Sequence, residues 1–241
     1  MCPYVIINAA MSADGKLATR ERKQTKISGH DDFLRVDRLR ADSDAIMVGI
    51  GTVLSDDPSL RLKSEEHAGV RKANGKDPHP MRVVIDSMAR MPADGDMFKK
   101  GLGRVVVFVS EKAPKEKCDA LREKATVIPA GADSVDLKIV LDELAKLGVK
   151  QLMVEGGATL LWSFMSSGLF DEIRVYIGGL IIGGKDAPTL ADGQGFTNPD
   201  EFPRLTLKDI KPIDDGVLLT WVKKSVNIIL PAAFSEAAGC M

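Results

Sequence analysis

Short apolar runs that end in glycine or a polar residue, and then give way to a helical pattern, constrain this chain most. Residues 44–48 lead into the segment 49–51 (Gly-Ile-Gly), and residues 151–154 lead into 155–157 (Glu-Gly-Gly). Apolar runs of this length are typical of buried strands. In α/β proteins, ligands bind at the ends of such strands, where free backbone N–H groups and helix N-termini favour phosphate. Two such sites in one chain indicate one large, phosphate-bearing cofactor.

The rest of the chain repeats this alternation of strand and helix patterns. Further strands are predicted at residues 5–11, 81–86, 104–109, 126–128, 173–177, 205–210 and 217–222, and helices at 31–40, 115–124, 135–147 and 159–167. We therefore expect an α/β fold with a mixed, mostly parallel sheet that is flanked by helices and ends in an antiparallel hairpin. One domain spans residues 1–224, and residues 225–241 form a tail for which no structure is predicted.

Local sequence signals add detail to two parts of the chain. Ser28 is the expected N-cap of the first helix, in which Phe33, Val36 and Leu39 recur at helical spacing. Residues 63–80 are charged and interrupted by glycine and proline, which predicts a surface excursion.

Composition excludes several classes of protein. The 241 residues are 44% hydrophobic, which is enough for one large core, and the net charge is −1 with both signs mixed. We therefore expect no nucleic-acid partner and no membrane association. Three widely spaced cysteines and a start that enters a strand directly predict a cytoplasmic protein. The three histidines lack the spacing of metal ligands, so no metal is expected.

The segment 155–157 carries the most specific chemical signal. Glu155 follows a buried strand, where an acid is costly unless it is paired or faces a cleft. Gly156 and Gly157 permit close approach of the backbone to a ligand, and the first helical turn at 158–161 offers N–H groups to a diphosphate. The alternative is a plain strand-to-helix turn in which Glu155 pairs with a basic residue.

The segment after residue 48 is less specific. Gly49 and Gly51 invite a dinucleotide-binding interpretation, but the third glycine of that pattern falls at Leu54. Thr52 and Asp56 are suited to bond a nicotinamide or a ribose. A helix cap at Thr52 and an Asx-turn at Asp56 are the alternative, and from this segment alone the alternative is favoured.

Isolated polar residues add further candidates. Ser87 and Ser110 each follow a predicted strand, where a hydroxyl suits a ribose or a 2′-phosphate but also serves as an ordinary cap. Arg40, Lys26 and Lys63 are candidate anion ligands. Because the chain has 33 basic residues, any single one is more often solvated surface.

Together these segments resemble the riboflavin-biosynthesis pyrimidine reductases, whose fold is like that of dihydrofolate reductase. The matching segments are residues 8–18 (NAAMSADGKLA), 27–29 (ISG), 39–49 (LRADSDAIMVG), 51–60 (GTVLSDDPSL), 82–87 (RVVIDS), 155–157 (EGG) and 183–189 (GGKDAPT). The resemblance runs from about residue 4 to residue 223. The glycine pair 178–179 departs from the pattern, and Lys63 is a lysine where an arginine also occurs.

The resemblance implies roles for individual residues. Those implied to bind the cofactor are Thr52, Asp56, Ser87, Gly156, Gly157, Ala158, Thr159 and Leu160. Those implied to line the substrate side are Arg40, Leu60, Lys63 and Glu155. The implied cofactor is NADPH, with NADH as an alternative donor, and the implied assembly is a homodimer. The apolar segment 180–182 is either core or part of that dimer interface.

The reaction implied by the resemblance is reduction of the ribosylamino group of 2,5-diamino-6-ribosylamino-4(3H)-pyrimidinone 5′-phosphate to ribitylamino. The ribosylamine opens to an imine at C1′, and hydride from C4 of NADPH reduces it. Such a site must position its reactants and exclude water, so Glu155 is expected to position the substrate without being an obligatory proton donor. The alternatives are a pteridine or dihydrofolate-type reductase, and a non-catalytic nucleotide-binding module.

Overall fold

The computed structural model describes residues 2–23, 25–100 and 102–224. Within them the strands are β1 Tyr4–Ser12, β2 Ala45–Gly49, β3 Met81–Ile85, β4 Val105–Val109, β5 Thr126–Pro129, β6 Gln151–Gly156, β7 Glu172–Gly178, β8 Leu205–Ile213 and β9 Gly216–Lys223. The helices are α1 His30–Asp42, α2 Ile50–Asp56, α3 Glu65–Ala73, α4 Asp96–Lys99, α5 Lys115–Arg122, α6 Leu137–Lys146 and α7 Ala158–Ser166, with a 3₁₀ turn at Pro199–Glu201. The predicted tail at 225–241 lies outside the described residues.

All nine strands form one sheet in the order β5-β4-β3-β2-β6-β1-β7-β9-β8. The strands from β5 to β7 in this order pair in parallel, whereas β9 pairs antiparallel with both β7 and β8. The prediction of a mostly parallel sheet that ends in an antiparallel hairpin is confirmed. The carboxyl ends of β1, β2, β3 and β6 consequently meet at one edge of the sheet.

Alternate residues of the buried strands point into two cores, because side chains along a strand alternate between the faces of the sheet. In β2, Met47 joins a core with residues of α6 and α7, whereas Ile46 and Val48 join a core with residues of α2 and α5. Leu39 of α1 packs on the second face near β1 and β6. Helices thus cover both faces, which leaves the carboxyl edge open for a ligand.

The start of α1 differs from the prediction. The N-cap is Gly29, which has no side chain to accept a hydrogen bond from the helix. Instead the carboxylate of Asp214, in the turn between β8 and β9, accepts hydrogen bonds from Asp31 N at 3.1 Å and Asp32 N at 3.0 Å. The prediction of a Ser28 cap is therefore wrong, since a residue distant in sequence satisfies these donors. Phe33, predicted on the apolar face of α1, is 52% exposed.

The charged excursion at residues 63–80 contains a helix that the sequence pattern did not predict. Ser64 caps α3 by accepting a hydrogen bond from His67 N at 3.2 Å. Arg71 anchors α3 to the end of α1, since its Nη1 donates to the carbonyl oxygens of Ala41 and Ser43. The short helix α4 was also not predicted. Among the described residues, no helix combines the length and the apolar character that crossing a bilayer requires.

Candidate active site

A cleft of about 780 Å³ opens at the carboxyl edge of the sheet. The ends of β1, β2, β3 and β6 line it, together with α2, the first turn of α7 and the loop between β1 and α1. Its volume is in the range of small-molecule and cofactor sites. Of the eight residues implied to bind the cofactor, all but Gly156 line this cleft.

The turn from β6 into α7 supplies unpaired backbone donors. Gly156 has a φ of +127°, a conformation that side chains other than glycine rarely adopt. Gly157 is the N-cap and offers no side-chain hydrogen bond to the helix. The first helical bond runs from Leu161 N to Gly157 O at 3.0 Å, so the preceding N–H groups at 158–160 have no partner within the helix. Such an N-terminus is suited to a phosphate.

The two glycine turns predicted from the sequence form one wall of the cleft. A Cβ built on Gly49 would lie 3.5 Å from the Cβ of Leu160. A Cβ built on Gly157 would lie 3.1 Å from Oγ1 of Thr52. The contact at Gly49 is an ordinary one, whereas the contact at Gly157 is tight, so glycine at 157 lets the start of α7 lie close to α2.

The favoured alternative for Thr52 and Asp56 is wrong. Gly49 is the N-cap of α2, so Thr52 lies within the helix and does not cap it. The residue after the helix, Asp57, adopts the left-handed conformation and accepts a hydrogen bond from Asp96 N at 2.8 Å. Thr52 and Asp56 instead face the cleft. Burial raises the pKa of Asp56, and a hydrogen bond from Ser55 opposes this change.

The two strand-end serines separate into different roles. Ser87 lines the cleft, and its Oγ accepts a hydrogen bond from Val135 N at 3.1 Å. Ser110 is 2% exposed, and its Oγ donates to the carbonyl oxygen of Ser87 at 2.8 Å. Ser110 thus holds the end of β3 in place and does not line the cleft.

Glu155 and Arg40 form a bidentate ion pair. Nε of Arg40 donates to Oε1 at 2.6 Å, and Nη2 donates to Oε2 at 2.7 Å. The side chains are 18% and 13% exposed, respectively. Burial lowers the pKa of Arg40, but the charge and hydrogen bonds of Glu155 raise it by a larger amount. The pKa of Arg40 therefore lies above its ordinary value. Glu155 thus lines the cleft and is also paired to a basic residue, which combines the two alternatives left open by the sequence.

Of the four residues implied on the substrate side, only Glu155 lines the described cleft, and Arg40 is connected to it through the pair with Glu155. Leu60 is 3% exposed in the core, and Lys63 is exposed. The carboxylate of Asp37, on α1, accepts hydrogen bonds from Lys63 N at 2.6 Å and Ser64 N at 3.2 Å. These hydrogen bonds place the backbone of Lys63 next to α1, the helix that also carries Arg40.

Several residues that line the cleft were not predicted to be site residues. They include Leu17, Ala18, Arg22, Ser28, Phe33, Arg90, Ser134 and Pro188. Lys26, a candidate anion ligand, is exposed outside the cleft, whereas Arg22 and Arg90 supply its described cationic side chains. The apolar character of Phe33 is explained by this location.

The lining of the cleft limits its chemistry. Its described residues include no histidine, cysteine or lysine, and Asp56 and Glu155 are its carboxylates. Across the described ranges, no group of three or more His, Cys, Asp or Glu residues is arranged to hold a metal ion. The cleft therefore offers a ligand backbone donors, hydroxyl groups, two carboxylates and two guanidinium groups.

The fold and the cleft together define an α/β protein with a candidate ligand site at the carboxyl edge of its mostly parallel sheet. The chain belongs to the family described as the RibD C-terminal domain, whose model matches residues 3–219. The expectation of a riboflavin-biosynthesis reductase family with a dihydrofolate-reductase-like sheet is confirmed.

Relatives support this assignment over the whole length of the domain. The chain is 46% identical to the 2,5-diamino-6-ribosylamino-4(3H)-pyrimidinone 5′-phosphate reductase of Archaeoglobus fulgidus over 91% of this chain and 98% of that protein. It is 44% identical to the protein of the same name from Methanothermobacter thermautotrophicus over 93% and 100%, respectively. A solved structure of Acinetobacter baumannii RibD matches with a TM-score of 0.74 at 26% identity, over 93% of this chain and 59% of that one. The chain thus spans about three fifths of that RibD.

Proposed function

We propose that this chain reduces the ribosylamino group of 2,5-diamino-6-ribosylamino-4(3H)-pyrimidinone 5′-phosphate to ribitylamino in riboflavin biosynthesis, with NADPH as the reductant. The observation that carries the proposal is the cleft at the carboxyl edge, which combines the uncapped N-terminus of α7 with Glu155, a carboxylate that Arg40 holds in place. The names of relatives at 46% and 44% identity supply the substrate.

The described residues fit a nicotinamide dinucleotide. A side chain at Gly157 would crowd Thr52 at the start of α7, so glycine there helps to keep the backbone donors of 158–160 accessible to a diphosphate. Thr52 and Asp56 lie on α2 beside this turn, and their polar groups suit a carboxamide or a ribose. When bound, the cofactor supplies a hydride.

On the substrate side, the protein positions the substrate and does not activate it by proton transfer. The bidentate pair with Arg40 fixes the carboxylate of Glu155 at the cleft wall, where it accepts hydrogen bonds from the substrate. A protonated imine is already a strong electrophile, so no obligatory proton donor is required. Arg40 and Lys63 supply positive charge on the side of α1, which suits the 5′-phosphate.

The first experiment measures loss of reduced nicotinamide absorbance with purified protein and the 2,5-diamino pyrimidine substrate. Turnover with this substrate, and none with dihydrofolate or a dihydropterin, is expected. Turnover with the pterin substrates alone would identify the alternative reductase. Binding of NADPH without turnover of any substrate would identify a nucleotide-binding module instead.

We further infer that the enzyme is a homodimer. Leu180 and Ile182 pack against a small core near the C-terminal hairpin, whereas Ile181 between them is 73% exposed. The edge strand β8 is exposed along most of its length and presents Leu207 and Ile210, which are 40% and 56% exposed. An exposed edge strand with apolar side chains is suited to pairing with a second copy. A monomer by light scattering at micromolar concentration would refute this inference.

A cytoplasmic location belongs to the same proposal. Cys2 and Cys118 are free thiols, as expected in a reducing compartment. Fractionation of cells that express the tagged protein tests the location, and recovery in a secreted fraction would contradict it.

A further inference from the structure

We propose that Arg90, with Ser87, binds the 2′-phosphate of the cofactor and so selects NADPH over NADH. The inference deepens the proposed function, since it rests on a nicotinamide dinucleotide in the cleft. Both residues line the end of the cleft nearest β3.

Arg90 is anchored at its base while its terminal nitrogens stay available. Asp86, which follows β3, is fully buried, and its carboxylate accepts hydrogen bonds from Arg90 N and from Met91 N. The same carboxylate accepts from Nε of Arg90 at 3.1 Å. Across the described residues, the two terminal nitrogens of Arg90 make no hydrogen bond, and the side chain is 48% exposed. The guanidinium is therefore held at the cleft with two donor groups directed to a ligand.

Ser87 adds a donor on the same rim. Its Oγ accepts from Val135 N at 3.1 Å, which leaves the hydroxyl proton free to donate into the cleft. Its main chain is fixed by two hydrogen bonds from Ser110, at 3.1 Å from the backbone nitrogen and 2.8 Å from Oγ. A phosphate that binds Arg90 can therefore also accept a hydrogen bond from the hydroxyl group of Ser87, which is already held in place.

The order of strands decides which half of a dinucleotide reaches this rim. The sheet edge runs from β3 through β2 and β6 to β1. The diphosphate site at the start of α7 follows β6, and the Arg40–Glu155 pair and Ser28 lie on the side of α1. Since the nicotinamide must meet the substrate, it occupies that side, and the adenosine half extends toward β3.

The β3 end of the cleft has the surface that an adenosine requires. Ile85, Val135, Leu137 and Leu160 line it and belong to or pack against the main core. An apolar surface of this kind suits the faces of a purine. The ribose then faces Ser87 and Arg90, where a 2′-phosphate makes charge-assisted hydrogen bonds that a 2′-hydroxyl cannot match.

The test compares kcat/KM for NADPH and NADH in the wild-type enzyme, Arg90→Ala and Arg122→Ala. Arg122 is the matched control, since it is also 48% exposed and pairs with a nearby aspartate, but it lies on α5 outside the cleft. We expect Arg90→Ala to lower kcat/KM for NADPH by about 10- to 100-fold, because charge-assisted hydrogen bonds are lost. The same variant should lower kcat/KM for NADH by less than about threefold. Arg122→Ala should leave the NADPH/NADH ratio unchanged. An equal loss for both cofactors in Arg90→Ala would overturn the proposal.

A binding measurement separates this inference from the proposed reaction. Calorimetry with adenosine 2′,5′-bisphosphate and with 5′-AMP needs no substrate and no turnover. We expect the wild type to bind the bisphosphate more tightly, and Arg90→Ala to lose that preference while Arg90→Lys keeps part of it. A wild type without the preference refutes the role of Arg90, even if the pyrimidine is reduced. A preference that depends on Arg90 in a protein that does not reduce the pyrimidine overturns the proposed reaction alone.

Discussion

The Arg40–Glu155 ion pair provides the sharpest test of how the cleft is built. Two parallel hydrogen bonds of 2.6 and 2.7 Å join side chains that come from α1 and from the end of β6. We consider Arg40→Met, Glu155→Gln and the double variant. Methionine approximates the length of the arginine stem, and glutamine keeps the shape of the glutamate, so each variant changes charge more than packing.

The expected loss of stability follows from burial. Removal of one partner from a buried ion pair costs about 3–5 kcal/mol, because the other charge stays desolvated without compensation. The side chains here are 18% and 13% exposed, so water from the cleft reduces that cost. We expect about 2–3 kcal/mol for each single variant, which for a domain of this size lowers Tm by roughly 5–10 °C. The double variant removes both charges and should lose about 1–2 kcal/mol less than the sum of the two.

The assay is thermal and urea unfolding of all four proteins in one buffer, combined with single-turnover measurement of the hydride step. Glu155→Gln should retain measurable turnover, since a positioning carboxylate is replaced by a group of the same shape that still accepts hydrogen bonds. Losses that add within about 0.5 kcal/mol would show that the pair does not couple the two elements. Abolition of the hydride step in Glu155→Gln, with substrate binding intact, would show that Glu155 is a proton donor and refute its positioning role.

Three further expectations concern the cofactor turn, the substrate phosphate and the cleft carboxylate. Gly157→Val should raise the Kd of NADPH at least tenfold in a folded protein, whereas Gly69→Ala, where an added Cβ meets open space, should not. Lys63→Ala should raise KM for the pyrimidine about tenfold and change KM for NADPH little, and the exposed Lys72→Ala serves as the control. Equal effects on the two KM values would show that Lys63 contributes only to the overall electrostatic field of the protein. Burial raises the pKa of Asp56, so the folded state keeps a proton that the unfolded state releases, and stability falls as pH rises through that range. Asp56→Asn should therefore raise Tm at neutral pH and leave it unchanged below about pH 4, while weakening cofactor binding; the same gain at both pH values would contradict the argument.

The sequence predicted those features that depend on local patterns. The strands and the helices α1, α5, α6 and α7 follow from runs and periods a few residues long, and the glycine at 157 marks a close approach to Thr52. Seven of the eight residues implied to bind the cofactor line the cleft, because they follow strands whose ends meet in a parallel sheet. The cap and Asx-turn alternative at Thr52 and Asp56 failed because Gly49 already begins α2 and Asp57 makes the turn.

Features that depend on distant partners could not be predicted. Arg90 is one of 33 basic residues, and nothing near it in sequence distinguishes it until the fold brings Ser134 and α6 beside it. The partner of Glu155 lies 115 residues earlier in the chain. The helix α3 was missed because Arg71, which anchors it, is a buried cation in a segment whose composition is typical of solvated loops.

The capping of α1 by Asp214 has a consequence for the newly made protein. The donor at Asp31 and its acceptor are 183 residues apart, so a ribosome adding about 5–20 residues per second separates them by roughly 10–40 s. During that interval the first turn of α1 lacks two of its hydrogen bonds, and α1 carries both Arg40 and the Asp37 anchor of Lys63. The first turn of α1 therefore gains its full set of hydrogen bonds only after the turn between β8 and β9 has been made.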